Sequence, residues 1–303
     1  SGMVNVNGYI LNQWAMDEYD SGPPKQTTTF RIVTTTRPDW QTDTQSTSHL
    51  YTYAVETSSG VLSHRRLHPG GHGTTRLTSL GSLNDLAPGE RVYAVRFMGT
   101  RLYVVTFREV DPLFVIDLTD NASPLLLGEL KVPGYSDYLH PVNSSHLIGI
   151  GKDATLQGQI QGMKLALFDA SNPQRPSESY SLTIGDRQTH SAALDDHKAF
   201  QYDRDRRLLT LPVRLYLANT CPTTYGGSNS WPQVVWQGAI VWRVGEARFE
   251  LRGLIPHYEP SAARDYESMA TVPSSASGLP MCPRYDLPNC AGGLSTSIAR
   301  AIY

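Results

Sequence analysis

Six polar residues of this 303-residue chain stand beside short apolar runs in a way that could bring them together: Asp17, Glu18, Arg96, His140, Asp196 and His197. Each falls on or next to the first of four short extended segments. If those first segments lie innermost, their side chains face a shared axis. Carboxylates and imidazoles converging there can hold Ca²⁺ or a transition metal, or line the mouth of a catalytic site. The competing use is structural. Arg96 and the carboxylates then form ion pairs between neighbouring sheets, and the histidines are hydrogen-bonded, because a polar interior must satisfy its own groups. The structural use is preferred. No catalytic residue and no cofactor is therefore assigned, with Ca²⁺ or another metal ion kept as the alternative.

Other chemistry-bearing spacings are weaker. His64, His68 and His72 would line one face of a helix, but Pro69-Gly70-Gly71 forbids that helix. Asp203 and Asp205 resemble the start of a calcium loop, yet Arg206-Arg207 follow where Asx and Gly are needed. There is no Gly-x-Ser-x-Gly elbow, no His-Glu-x-x-His, and the Gly70-Gly71-His72-Gly73 run lacks the lysine of a phosphate loop. Cys282 and Cys290 sit close together in MCPRYDLPNC. A local disulfide is the preferred reading, since the short loop can be bridged and matches no zinc spacing. Asn121-Ala-Ser and Asn143-Ser-Ser are sequons at turns, so Asn121 and Asn143 are glycan acceptors if the protein is secreted by a eukaryote.

The elements that must position these residues are strands. Helical periodicity is almost absent, and runs of Val, Ile, Tyr, Phe and Thr alternate with Gly, Pro, Asn and Asp. VIDLTDNASP and LFDASNPQRP are two copies of one corner, with Asp117 and Asp169 lying 52 residues apart. A repeat of this length built from short strands signals small sheets arrayed around an axis. Asp117, Asp169, Thr119 and Ser171 read as turn fasteners, their oxygens accepting from nearby backbone N–H groups.

Four sets of four strands follow, over about 8–68, 91–133, 135–185 and 190–256, with 296–303 read as the start of a further one. The first set is taken to end in VLSHRRL (61–67). Inserts at 218–237 and 259–295 break the pattern, and loops of that length in a compact repeat are functional or disordered. The first insert carries Tyr225, Trp231 and Trp236, rigid apolar side chains suited to contact; the alternative is that it covers an edge strand.

With these residues in view, the chain resembles a secreted β-propeller family distantly related to WD-40 repeats and found in bacteria, archaea and some algae. The resembling segments are 11–20, 86–118, 127–153, 162–173 and 196–213, which include the YAVRFMG…VDPLFVIDL block. The resemblance implies a secreted or cell-surface all-β propeller of four-stranded antiparallel blades. About four blades lie in this chain, as the later part of a larger ring. It carries over no catalytic residue.

Lys and Arg total 26 against 28 Asp and Glu, with no basic stripe, so nucleic acid is not expected as a partner. The apolar runs are too short to span a bilayer as helices. The reading reached from sequence is an extracellular, non-enzymatic binding or assembly module acting through its loop face and inserts. Its expected partner is a protein, a surface polymer or the missing blades of the same protein. The alternatives are a hydrolase or metal-dependent enzyme with its site at the channel mouth, and a structural subunit of a surface filament or layer.

Overall fold

The computed structural model describes residues 3–22, 27–38, 45–57, 75–107, 111–217 and 233–257. Within these residues sixteen strands form four antiparallel sheets of four. The first sheet holds β1 (Met16–Asp20), β2 (Thr28–Thr35), β3 (Ser48–Thr57) and β4 (Thr75–Leu86). The second holds β5 (Arg91–Met98), β6 (Arg101–Phe107), β7 (Asp111–Asp117) and β8 (Leu125–Val132). The third holds β9 (Tyr135–Pro141), β10 (His146–Ala154), β11 (Ile160–Asp169) and β12 (Ser177–Ile184), and the fourth β13 (Gln201–Asp203), β14 (Leu208–Leu217), β15 (Gln233–Val244) and β16 (Phe249–Pro256). In each sheet consecutive strands are hydrogen-bonded neighbours.

Burial explains the composition. The middle strands are covered on both faces, so they read as continuous apolar runs: Leu102 to Val105 in β6, and Met163, Leu165 to Phe168 in β11, are buried. Outer strands such as β12 alternate between exposed and half-buried residues, the pattern of a sheet edge with one face in water.

The chain divides into two compact units. One comprises Ser1–Val132 with Ala170–Pro176, the other Pro133–Asp169 with the rest from Ser177. In the first unit, Val33, Leu50, Val95, Leu102, Ile116 and Leu118 belong to one buried cluster. A single 3-10 turn, Gln13–Ala15, pushes Ala15 into that cluster, and Asn12 caps it by accepting from Trp14 N at 3.0 Å. In the second unit Ile148, Ile150, Leu165, Leu209, Leu211 and Trp242 are the buried side chains of the middle strands. Each such residue contributes about 1.5–3 kcal/mol on leaving water.

Every fourth strand carries an extra residue at the same register, and β4 has a second one between Leu83 and Leu86. Leu80 is extra against Thr52/Tyr53, Leu127 against Val115/Ile116, Ser179 against Leu167/Phe168, and Arg252 against Val241/Trp242. The residue after each bulge is Gly81, Gly128, Tyr180 and Gly253. Two first strands are also bulged, at Tyr93 in β5 and at Asp137 in β9.

The structure departs from the sequence reading in three places. The fourth strand of the first sheet is Thr75–Leu86, and the 61–67 segment lies outside the described residues. In Thr75–Leu86 the leucines stand at every third position, 77, 80, 83 and 86, so they form neither a continuous apolar run nor a strand alternation. Second, β15 begins at Gln233, inside the expected 218–237 insert. Trp236 sits in β15 opposite Leu215, not in a loop. Third, the expected fourth set (190–256) opens not on a strand but on two 3-10 turns, Ala192–Leu194 and His197–Ala199, capped by Ser191 and Asp196, and its first strand is the short β13.

Candidate functional site

In the first unit lie Asp17, Glu18 and Arg96. On β1 the alternation places Asp17 and Tyr19 inward and leaves Glu18 exposed. Asp17 meets Arg31, which stands opposite it in register on β2. The Arg31 side chain is 1% exposed and Asp17 29%. Arg31 Nε donates to Asp17 Oδ2 at 2.9 Å, Nη2 reaches the same oxygen, and Nη1 donates to the Gly99 carbonyl at 2.8 Å. The guanidinium carbon lies 4.4 Å from the Tyr19 ring centre and 5.1 Å from that of Phe97. Arg31 is thus a planar cation between aromatic faces, a geometry lysine could not reproduce. Gly99 itself sits at φ +60° in the Met98-Gly99-Thr100 turn, which aims its carbonyl at Arg31. Arg96 is nearly buried, with its guanidinium 3.8 Å from the Trp14 ring centre. Sequence reasoning singled out Asp17 and Arg96 but missed Arg31, whose place in the strand TTFRIVTT (28–35) was the available signal.

In the second unit His140 stacks on Phe200 with centroids 4.9 Å apart, meets the edge of Tyr202 at 5.3 Å, and has Nδ1 3.2 Å from the Tyr138 hydroxyl. His197 stacks on Tyr138 at 6.3 Å. His140 and His197 therefore share one aromatic cluster. Asp196 caps the His197–Ala199 turn, its Oδ1 accepting from Lys198 N at 2.9 Å. Among the described residues no group of three His, Cys, Asp or Glu is arranged to hold a metal ion.

The strongest electrostatic feature of that unit is one the sequence did not suggest. Asp137 is the extra residue of the β9 bulge, lying between Ser136 and Tyr138, which pair with Gly151 and Ile150. A bulge re-aims a side chain. Burial pushes the Asp137 carboxyl up to about 7, against the pull of the Lys152 ammonium, with the Asp195 charge adding to the rise. Burial likewise depresses Lys152, while Asp137, Asp186 and Asp195 oppose the fall. Lys152 Nζ donates to the carbonyls of Arg187, at 3.2 Å, and Thr189. The 185–196 segment that supplies these carbonyls is strapped to β14. His190 and Arg214 exchange backbone bonds of 3.0 and 2.8 Å, and Thr189 Oγ1 bonds both the N–H and C=O of Tyr216. His190 Nε2 lies 3.0 Å from Asp195 Oδ2 at the exposed rim.

The remaining sequence candidates fall as follows. Trp236 is half-buried and its indole lies against Gly238: a Cβ there would stand 2.6 Å from the ring. Tyr225, Trp231, Cys282 and Cys290 lie outside the described residues. Asn121 is half-buried with its side-chain oxygen enclosed, whereas Asn143 is exposed and its Oδ1 accepts from Ser145 N and His146 N at 2.9 and 2.8 Å. Asp117 is the fastener the sequence indicated. Its Oδ1 accepts from Thr119 N at 2.9 Å and from the Thr119 hydroxyl, and it pairs with Arg101. Asp117 is held below the usual carboxylate range; burial works against this, and the bonds from Thr119 and the charge of Arg101 outweigh it. His146–Asp169, at 3.7 Å, is the counterpart in the third sheet.

Among the described residues, four up-and-down sheets of four strands with almost no helix define an all-β fold built of propeller blades. The chain belongs to the beta propeller domain family, whose model matches residues 1–277. It is 37% identical over 210 residues to an uncharacterized protein of Methanocaldococcus jannaschii, and 32% identical over 212 residues to one of Archaeoglobus fulgidus. These matches cover 69% and 70% of this chain and 28% of each relative, so the matched part spans under a third of their length. A solved structure of a Lactobacillus plantarum protein aligns over 80% of this chain and 81% of its own, at 12% identity and a TM-score of 0.31, a likeness too slight to argue from.

Proposed function

We propose that the protein is a non-enzymatic binding or assembly module working outside the cell or at its surface, through its loop face and inserts. The observation that carries this reading is the occupation of the polar candidates. Asp17 is committed to Arg31, Arg96 lies on Trp14, His140 is packed among aromatic rings, and Asp196 caps a turn. Groups held this way fix the blades and leave contact to the rims. The partner class that fits is a protein or a surface polymer; a net charge of −2 without a basic stripe does not favour nucleic acid.

A second reading, a hydrolase, has one observation behind it. Burial raises the Asp137 carboxyl to about 7 and lowers Lys152, and a carboxyl titrating there suits proton exchange near neutral pH. One comparison separates the two. The parent protein, a variant with residues 218–232 replaced by a short Gly-Ser link, and Asp137→Asn are assayed for adhesion to envelope material of the source cells and for hydrolysis of ester, phosphate, glycoside and peptide substrates. Adhesion lost only in the link variant, with its melting temperature kept, supports the binding module. Hydrolysis abolished by Asp137→Asn would replace it with the enzyme.

A further inference from the structure

The corner between the third and fourth strands of one sheet is seated on the fourth strand of the preceding one, and the seat is always the residue after the bulge. A Cβ added to Gly81 would stand 2.5 Å from Ala122 O and 2.8 Å from Asn121 O. A Cβ added to Gly128 would stand 2.4 Å from Pro173 O and 2.9 Å from Gln174 O. Asn121 and Ala122 are the fourth and fifth residues after Asp117; Pro173 and Gln174 are the fourth and fifth after Asp169. The two seats are therefore equivalent atom for atom along the backbone.

The corners present those carbonyls through the same internal bonds. Asp120 Oδ1 accepts from Ala122 N at 2.9 Å, and Asn172 Oδ1 accepts from Gln174 N at 3.1 Å. Asp120 O accepts from Ser123 N at 3.1 Å, and Asn172 O from Arg175 N at 3.0 Å. The third residue after the aspartate must be Asx for this turn to form. In the first of these seats Thr52 Oγ1 adds a bond to the Asn121 carbonyl.

The third sheet supplies the contrast. Its seat is Tyr180, and the corner of the following sheet is the short Val244–Phe249 turn, with Glu246 where Asx stands in the other two. There the contact is ring to ring, Tyr180 against the edge of Phe249 at 5.9 Å. Glycine at the seat goes with an Asx corner, and a large side chain goes with its absence.

The fourth sheet has glycine again. Gly253 follows the Arg252 bulge at the same register, and among the described residues nothing lies within 4 Å of a Cβ built on it. We propose that Gly253 and its flanks on β16 are a receptor for one more corner of the type Asp-x-Ser/Thr-Asx…Pro, carried by a further blade. The receptor would take the corner's fourth and fifth carbonyls against the bare Cα, as Gly81 and Gly128 do. This holds whether or not the inserts bind anything.

The test uses the protein expressed from its whole gene. A photoreactive p-benzoylphenylalanine is placed at Leu254, which is 43% exposed, or at Ser82, the matching position after Gly81. The Ser82 probe should capture the corner 117–124, which proves the method. The Leu254 probe should capture a peptide containing Asp-x-Ser/Thr-Asx with a nearby proline. Gly253→Ala should lower the melting temperature by several degrees, and so should Gly81→Ala, whose added Cβ would stand 2.5 Å from Ala122 O. Capture of a peptide without that motif, no capture at Leu254 while Ser82 reacts, or an unchanged melting temperature for Gly253→Ala would each overturn the proposal.

Discussion

Removing the Asp17 carboxylate should destabilise the first unit more than removing its arginine partner. Arg31 is 1% exposed and donates to Asp17 and to Gly99 O. In Asp17→Ala the guanidinium stays buried and loses its counter-charge. Breaking a fully buried pair this way costs about 3–5 kcal/mol. Asp17 is 29% exposed, so water already shares its field, and the figure falls to about 2–3 kcal/mol. In Arg31→Met the charge leaves with the side chain, the thioether fills the slot between Tyr19 and Phe97, and the freed carboxylate turns to solvent. The cost there is about 1 kcal/mol, mainly the Gly99 bond and the cation–ring contacts. Adding Arg31→Met to Asp17→Ala should therefore recover part of the loss. The assay is urea unfolding of parent, both single variants and the double variant, followed by Phe and Tyr signals and by calorimetry. For a unit of this size Asp17→Ala should lower the melting temperature by roughly 5–10 °C. A double variant less stable than Asp17→Ala alone would refute the reasoning, because it would mean that Arg31 stabilises without its partner.

Three further outcomes follow from the second unit. Asp137 has its folded-state carboxyl raised to about 7, so the folded protein holds a proton that the unfolded chain has released, and stability should fall as pH rises from about 4 to 7 and then level off; Asp137→Asn should flatten this slope, which urea midpoints at pH 5 and pH 8 would reveal, and the effect is bounded by about 4 kcal/mol. Gly151→Ala should cost about 3 kcal/mol or more, since the added Cβ would stand 1.8 Å from Tyr135 O beside the β9 bulge, and thermal melts would register it. His140→Ala should cost about 1–3 kcal/mol through lost ring contacts with Phe200 and Tyr202, with a matching change in the near-ultraviolet circular dichroism.

The blades were legible because their middle strands are covered on both faces and so spell long apolar runs, such as RLYVVTF and MKLALFD. The Asp117 and Asp169 corners were legible because a tight turn needs particular side chains at fixed offsets. Thr75–Leu86 was not, since an outer strand half in water has little hydrophobic pattern to show. Arg31 was hidden for the opposite reason: it sits in a run of strand formers, and only three-dimensional register sets it against Asp17. Asp137 was invisible because its environment comes from a one-residue slip in pairing, and nothing in YSDYLHP marks which residue is left over. The seats after the bulges were present as scattered glycines at 81, 128 and 253, but their meaning depends on which corner approaches them.

The extra residue in β4, β8, β12 and β16 has a consequence for behaviour at high concentration. Each of these strands is the last in its sheet, with one side of its backbone unpaired by the sheet. A flat edge of that kind is a template on which another chain can add a strand, and a local kink that throws the N–H and C=O groups out of step spoils it. Four edges kinked at one register are thus four safeguards against strand-by-strand growth of fibrous aggregates.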